Sequence, residues 1–127
     1  MAPSPRVPVV LDTNACLLPF TDGTDLQAQL ERELGAVQLF LPDVVQAELV
    51  SLAAGRGATA RAAGGALRLL RDARVEAAGL AGDDGVLEVA ARLGAVLVSN
   101  DRTLQREAAK RGLAVVASRE KGRLGRR

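Results

Sequence analysis

The chain has 127 residues, enough for one domain around one core, and its 48% apolar content excludes intrinsic disorder. Phe20 and Phe40 are the only aromatic residues, histidine is absent and Cys16 is the sole cysteine. These absences rule out a Cys/His zinc site, an internal disulfide and histidine-based catalysis, and leave little for a base-stacking face. The net charge of +2 is uneven: Arg119 to Arg127 carry +4, and residues 1–118 sum to −2. No apolar run approaches the ~18 residues of a membrane span. Met1 to Pro8 has one charge, three prolines and no signal-peptide core. The expectation is a cytoplasmic protein with no membrane contact.

In chain order, Val7-Pro8-Val9-Val10-Leu11 predicts a short buried strand, with Pro8 tolerated near its start. Leu26 to Leu34 predicts a helix with Leu26, Leu30 and Leu34 on one side, and Val37 to Leu41 the second strand. Pro42 suits the first position of a helix running to about Ala54 and closed by Gly55. The Ala/Leu-rich stretch Ala58 to Ala73 predicts another helix despite Gly64 and Gly65, and Val75 to Ala78 a short third strand. Val86 to Leu93 is helical with Gly94 as its stop, Ala95 to Val98 is a fourth strand, Asp101 to Arg111 a helix stopped by Gly112, and Leu113 to Ala117 a fifth strand. Repeated β-α alternation with continuously apolar strands predicts an α/β fold. Its form is a three-layer α/β/α sandwich around a parallel sheet of about five strands. Residues 1–118 form the expected domain, and 119–127 a basic tail of low order.

Ligands of open α/β sheets lie beyond the carboxyl ends of the strands. Asp12 directly follows the first strand there and Asp101 the fourth, while Asp83-Asp84 opens the helix that leads into the fourth. Glu48 is the most informative acid. With Val44 at 0° and about 100° per residue, Leu52 falls near about 80°, Val45 near about 100°, Leu49 near about 140° and Glu48 near about 40°. Glu48 thus lies inside an apolar stripe, where a carboxylate is costly without compensation. Each acid also has a plainer reading. Asp12, Asp83, Asp84 and Asp101 are placed to cap turns or helices, and Glu48 to pair with Arg102 or Arg106. Acids gathered at one sheet edge raise each other's pKa, and a hard divalent cation such as Mg²⁺ or Mn²⁺ removes that conflict. Two such ions ~4 Å apart activate a water and stabilise a leaving oxygen in phosphodiester cleavage, without histidine.

Four segments, Val9-Val10-Leu11-Asp12-Thr13-Asn14, Pro42-Asp43-Val44-Val45-Gln46-Ala47-Glu48-Leu49, Gly82-Asp83-Asp84-Gly85-Val86-Leu87 and Val98-Ser99-Asn100-Asp101-Arg102-Thr103-Leu104, match one family in order. The chain resembles the PIN-domain nucleases over roughly residues 7 to 124. The resemblance implies that Asp12, Glu48, Asp83 and Asp101 are the metal-binding, catalytic acids. It implies supporting roles for Asn14, which would orient Asp12 or the water network, for Ser99, standing where the family more often has Thr, and for Asp84. The Asp-Asp doublet and the ending Ser118-Arg119-Glu120-Lys121-Gly122-Arg123-Leu124 are similar to small archaeal stand-alone members. Those resemble the PIN endonuclease of the small-subunit processome, which implies processing of pre-ribosomal RNA. Toxin ribonucleases of toxin–antitoxin pairs share the same acids and stand as the alternative. Family members often form homodimers, which is carried over as an expectation.

RNA would be held by charge, through Arg61, Arg68 and Arg71 at helical spacing with Arg56 before them, and through Arg119, Lys121, Arg123, Arg126 and Arg127 in the tail. A non-cleaving RNA-binding assembly factor is the reading from a different class, and the intact acid set argues against it. A phosphate-accepting receiver domain shares the β-α pattern, but it wants a Lys after the last strand, and Leu113 to Ser118 holds none.

Overall fold

The computed structural model describes residues 5–127. Its elements are β1 (Val7–Leu11), α1 (Thr13–Thr21), α2 (Leu26–Leu34), β2 (Val37–Pro42), α3 (Asp43–Ala53), α4 (Gly57–Leu69), β3 (Arg74–Glu76), α5 (Gly82–Leu93), β4 (Val96–Val98), α6 (Arg102–Lys110), β5 (Val115–Glu120) and β6 (Arg123–Arg126). One sheet joins all six strands in the order β3-β2-β1-β4-β5-β6. The first five run parallel. Helices flank the sheet in an α/β fold. Val9, Val10 and Leu11 are all fully buried, as a central strand covered on both faces requires.

The strand order reverses between β1 and β4, because the chain first winds outward through β2 and β3 and then returns. At such a switch point the two following connections diverge and leave a crevice beyond the strand ends. Asp12 follows one of these strands, and Ser99, Asn100 and Asp101 follow the other. The register sets Leu11 beside Val98, so the two loops begin at the same level.

Four differences from the sequence expectations stand out. The sheet is mixed, with β6 antiparallel to β5. The ending beyond Ser118 is its last hairpin, not a low-order tail: β5 continues to Glu120, Gly122 turns the chain at φ +82°, and Leu124 is buried. Gln29 of α2 accepts the Leu124 N–H at 3.5 Å. The segment after β1 is the additional helix α1, with Pro19 inside it and Ala15, Cys16, Leu17 and Leu18 buried in succession. Pro42 ends β2 and caps α3, which itself begins at Asp43. Burial and the nearby Asp12 charge push the Cys16 thiol up, which makes it a packing residue with little thiolate character.

Candidate active site

Asp12 begins the site. Its extended backbone makes it the N-cap of α1, where its Oδ1 accepts the Ala15 N–H at 2.8 Å. Its own N–H donates to the Val98 carbonyl at 3.3 Å, which ties it to the end of β4. Asp101 repeats the arrangement one strand away, capping α6 by accepting the Leu104 N–H at 3.0 Å. Capping and site formation are therefore compatible, because each cap uses only one of two carboxylate oxygens.

Ser99 links the two caps. It is buried, its hydroxyl stabilises the charged form of Asp12, and its Oγ accepts the Asp101 N–H at 3.0 Å. Gln105 of α6 donates to the Ser99 carbonyl at 2.7 Å. Asn100 faces β5: its side-chain amide donates to Ser118 Oγ at 2.9 Å and its Oδ1 accepts the Ser118 N–H at 2.8 Å. Sequence reasoning did not single out Asn100. The signal was the Ser-Asn-Asp run itself, in which three short polar side chains at a strand end each have a separate partner.

A cleft of about 190 Å³ joins Asp12, Glu48, Asp83 and Asp101, with Asn14 and Thr13 at its rim and Val44, Val45 and Val86 along its wall. Four separate segments thus bring their acids together. Glu48 is exposed, and its helical angle faces this cleft, the kind of compensating surroundings that a carboxylate inside an apolar stripe requires. Asp83 lines the cleft and Asp84 does not. Neither caps α5, whose N-cap is Ala81. Asn14 lines the cleft but makes no hydrogen bond to Asp12 among the described residues. The plainer alternative, a pairing of Glu48 with Arg102 or Arg106, is absent among the described residues. The ion pairs among the described residues are Arg92–Glu76, Lys110–Glu107 and Arg123–Glu120, all away from the cleft.

Electrostatics follow from this crowding. Burial raises the pKa of Asp12, Ser99 and the Ala15 N–H oppose the rise, and the charges of Asp83 and Asp101 add to it. The Asp83 pKa is raised by desolvation at the cleft and then by Asp101, Asp84 and Glu48. As the side chains stand, no three acids among the described residues are arranged to hold one metal ion. Asp12 is the buried member, Asp101 is exposed but held by its cap, and Glu48 and Asp83 are exposed.

None of the cations named from the sequence lines this cleft. Arg61 and Arg68 are exposed on α4, Arg71 lies just beyond it, and Arg119, Lys121 and Arg123 are exposed on the β5–β6 hairpin. Arg123 pairs with Glu120, and Arg119 donates to the Arg126 carbonyl. No helix among the described residues is long and apolar enough to cross a membrane.

The sheet reverses between β1 and β4, and carboxylates from four segments gather at the reversal. The family model described as PIN like domain matches residues 9–121, and the chain belongs to that family. It is 35% identical over 107 residues to ribonuclease VapC9 of Archaeoglobus fulgidus, spanning 84% of this chain and 78% of that one. The solved structure of the PIN domain endonuclease Utp24 matches with a TM-score of 0.74 at 25% identity, over 94% of this chain and 92% of that one. A domain of a functionally unknown protein from Methanocaldococcus jannaschii shares the fold, with a TM-score of 0.67 at 18% identity over 90% of this chain and 92% of that one. The protein is thus a PIN-domain protein homologous to a VapC-type ribonuclease.

Proposed function

We propose that the chain is a divalent-cation-dependent endoribonuclease that hydrolyses RNA phosphodiester bonds in the cleft of Asp12, Glu48, Asp83 and Asp101. One observation carries the reading: four carboxylates from separate segments share a cleft, and none is paired with a cation among the described residues. The donor set is all oxygen, and a hard dication relieves the repulsion that raises Asp12 and Asp83. Asp12, Glu48, Asp83 and Asp101 would hold Mg²⁺ or Mn²⁺, as one ion or two, and such an ion supplies an acidified water and charge stabilisation at the leaving oxygen. Asp12 and Asp101 are oriented by their caps and linked through Ser99. Asn14 offers its amide to substrate or water at the rim, and Asp84 adds to the field on Asp83. Arg61, Arg68, Arg71, Arg119, Lys121 and Arg123 add phosphate contacts outside the cleft.

The test is cleavage of labelled structured and single-stranded RNA by the wild type and by Asp12→Asn, with Mn²⁺ and with chelator. The reading expects cleavage by the wild type with Mn²⁺ alone. Equal cleavage by Asp12→Asn would overturn it.

The biological target we propose is structured pre-ribosomal RNA. The likeness to the Utp24 endonuclease across nearly the whole chain supports it. The identity to VapC9 favours a second role, that of a toxin ribonuclease. Depletion in the native host separates them: the first role expects small-subunit rRNA precursors to accumulate. The second expects normal rRNA on depletion and growth arrest on overexpression.

A further inference from the structure

Arg102, which directly follows Asp101 in the chain, opens a groove that also holds Arg126 and Arg127 of the basic ending. Two adjoining depressions run between α6 and the β5–β6 hairpin and share Gln105 and Arg127. One, of about 270 Å³, starts at Asn100 and Arg102. The other, of about 310 Å³, continues past Arg106 and Arg126 over a floor that includes Leu34, Val96 and Leu113. Arg102, Arg106, Arg126 and Arg127 are all exposed, and no acidic residue lines either depression.

Nor are these guanidiniums neutralised. None belongs to an ion pair among the described residues. Arg106 donates to Thr103 Oγ1 at 3.4 Å and Arg126 to the Glu33 carbonyl at 3.3 Å, both uncharged acceptors. Glu107, the acid on α6, is taken by Lys110. Arg102 and Arg106 stand one helical turn apart, about 6 Å along the axis. The groove opens at Asn100, whose chain neighbour Asp101 lines the acid cleft.

We propose that this groove is the path by which the backbone of single-stranded RNA reaches the acid cleft, with Arg102, Arg106, Arg126 and Arg127 as its phosphate contacts. The inference deepens the nuclease reading and rests on it. A row of unpaired arginines with no acid among them selects a polyanion, and the acid cleft alone would repel one. No aromatic residue lines the groove, so bases are not stacked and the path is tolerant of sequence. Asn100 serves both ends of the arrangement, because its bonds to Ser118 hold the groove's wall against the loop of Asp101.

The experiment is fluorescence anisotropy of a labelled short oligouridylate in chelator, across a range of KCl. It compares the wild type, Arg106→Ala/Arg127→Ala, Arg106→Lys/Arg127→Lys and Arg61→Ala/Arg68→Ala. Each phosphate contact on a single strand contributes about 0.7 to the slope of log K against log salt. The alanine pair in the groove is expected to make that slope less negative by about 1.4, the lysine pair to keep it, and the α4 pair to change it less than the groove pair does. An unchanged slope in the groove variant, or a larger loss in the α4 variant, would overturn the proposal. Binding in chelator is read without cleavage. A wild type that binds this way but never cuts overturns the nuclease reading, whereas one that cuts but ignores the groove substitutions overturns this path alone.

Discussion

Asn100 and Ser118 exchange two hydrogen bonds across the ends of β4 and β5, at 2.9 Å and 2.8 Å. The side chain of Asn100 thereby extends a ladder that the β4 backbone has left, since Asp101 turns away to cap α6. Asn100→Ala removes both bonds. At a solvent-exposed position the expected cost is about 1 kcal/mol, read as a lower urea midpoint with an unchanged slope. The loop of Asp101 loses its lateral tie, so Mn²⁺-dependent RNA cleavage is expected to fall further than stability alone explains. Full cleavage by the folded variant would show that the tie does not serve the site.

Asp12→Asn is expected to raise the melting temperature in chelator. Asparagine keeps an oxygen for the Ala15 N–H and removes a buried charge that Asp83 and Asp101 oppose. The pH dependence has a defined sign. The folded pKa values of Asp12 and Asp83 lie above the ordinary aspartate value, so the associated stability is full below that value and is lost as pH rises through the raised folded values. Melting in chelator should therefore fall upward from about pH 4 in the wild type, and less steeply in Asp12→Asn. A wild type that gains stability across that window would contradict the pKa directions.

Much of this was legible because strand burial leaves a mark on composition. Val9-Val10-Leu11 and Val96-Leu97-Val98 are apolar without alternation, as central parallel strands are, and the glycine stops were sound: Gly94 takes the left-handed C-cap of α5. Helix α1 was hidden for the same reason that it is well packed. Its buried residues Ala15 to Leu18 are consecutive and Pro19 follows, so no helical period shows. Strand β6 was hidden by its arginines. Only Leu124 and Gly125 are buried, and the Arg119 side chain occupies the space that a Cβ on Gly125 would need. Glu48 was legible because a carboxylate inside an apolar stripe demands compensation, and the cleft it shares with three other acids is where its helical angle points.

Divalent cations are expected to stabilise the protein by mass action. At 100-fold excess over the dissociation constant the gain is about 2.7 kcal/mol. Ligands must be deprotonated, so the gain grows as pH rises through the raised values of Asp12 and Asp83. A thermal-shift titration with Mn²⁺ checks this: the wild type moves upward, and Asp12→Asn and Asp83→Asn move much less. Equal shifts in all three proteins would place the ion elsewhere.

Gly85→Ala tests how Asp83 is presented. A Cβ at Gly85 would stand 2.2 Å from the Leu80 carbonyl oxygen, which is backbone and cannot swing aside. Alanine ordinarily stabilises a helix interior by about 1 kcal/mol over glycine. Here the sign reverses, with an expected loss of about 1–3 kcal/mol from displacement of the segment before α5. Chemical denaturation reads the difference, and a more stable variant would show that the approach of Leu80 to α5 is loose.

The most direct test is the cleavage rate of one RNA, with saturating Mn²⁺, by Asp12→Asn, Glu48→Gln, Asp83→Asn and Asp101→Asn, each alone and all together. Groups that act as one unit are grossly non-additive when removed. Each single variant is expected to lose at least about 10³-fold and to fall near the rate of the quadruple variant, while Asp84→Asn keeps most of the activity. Wild-type rates in any of the four, or losses that simply multiply, would contradict a shared centre.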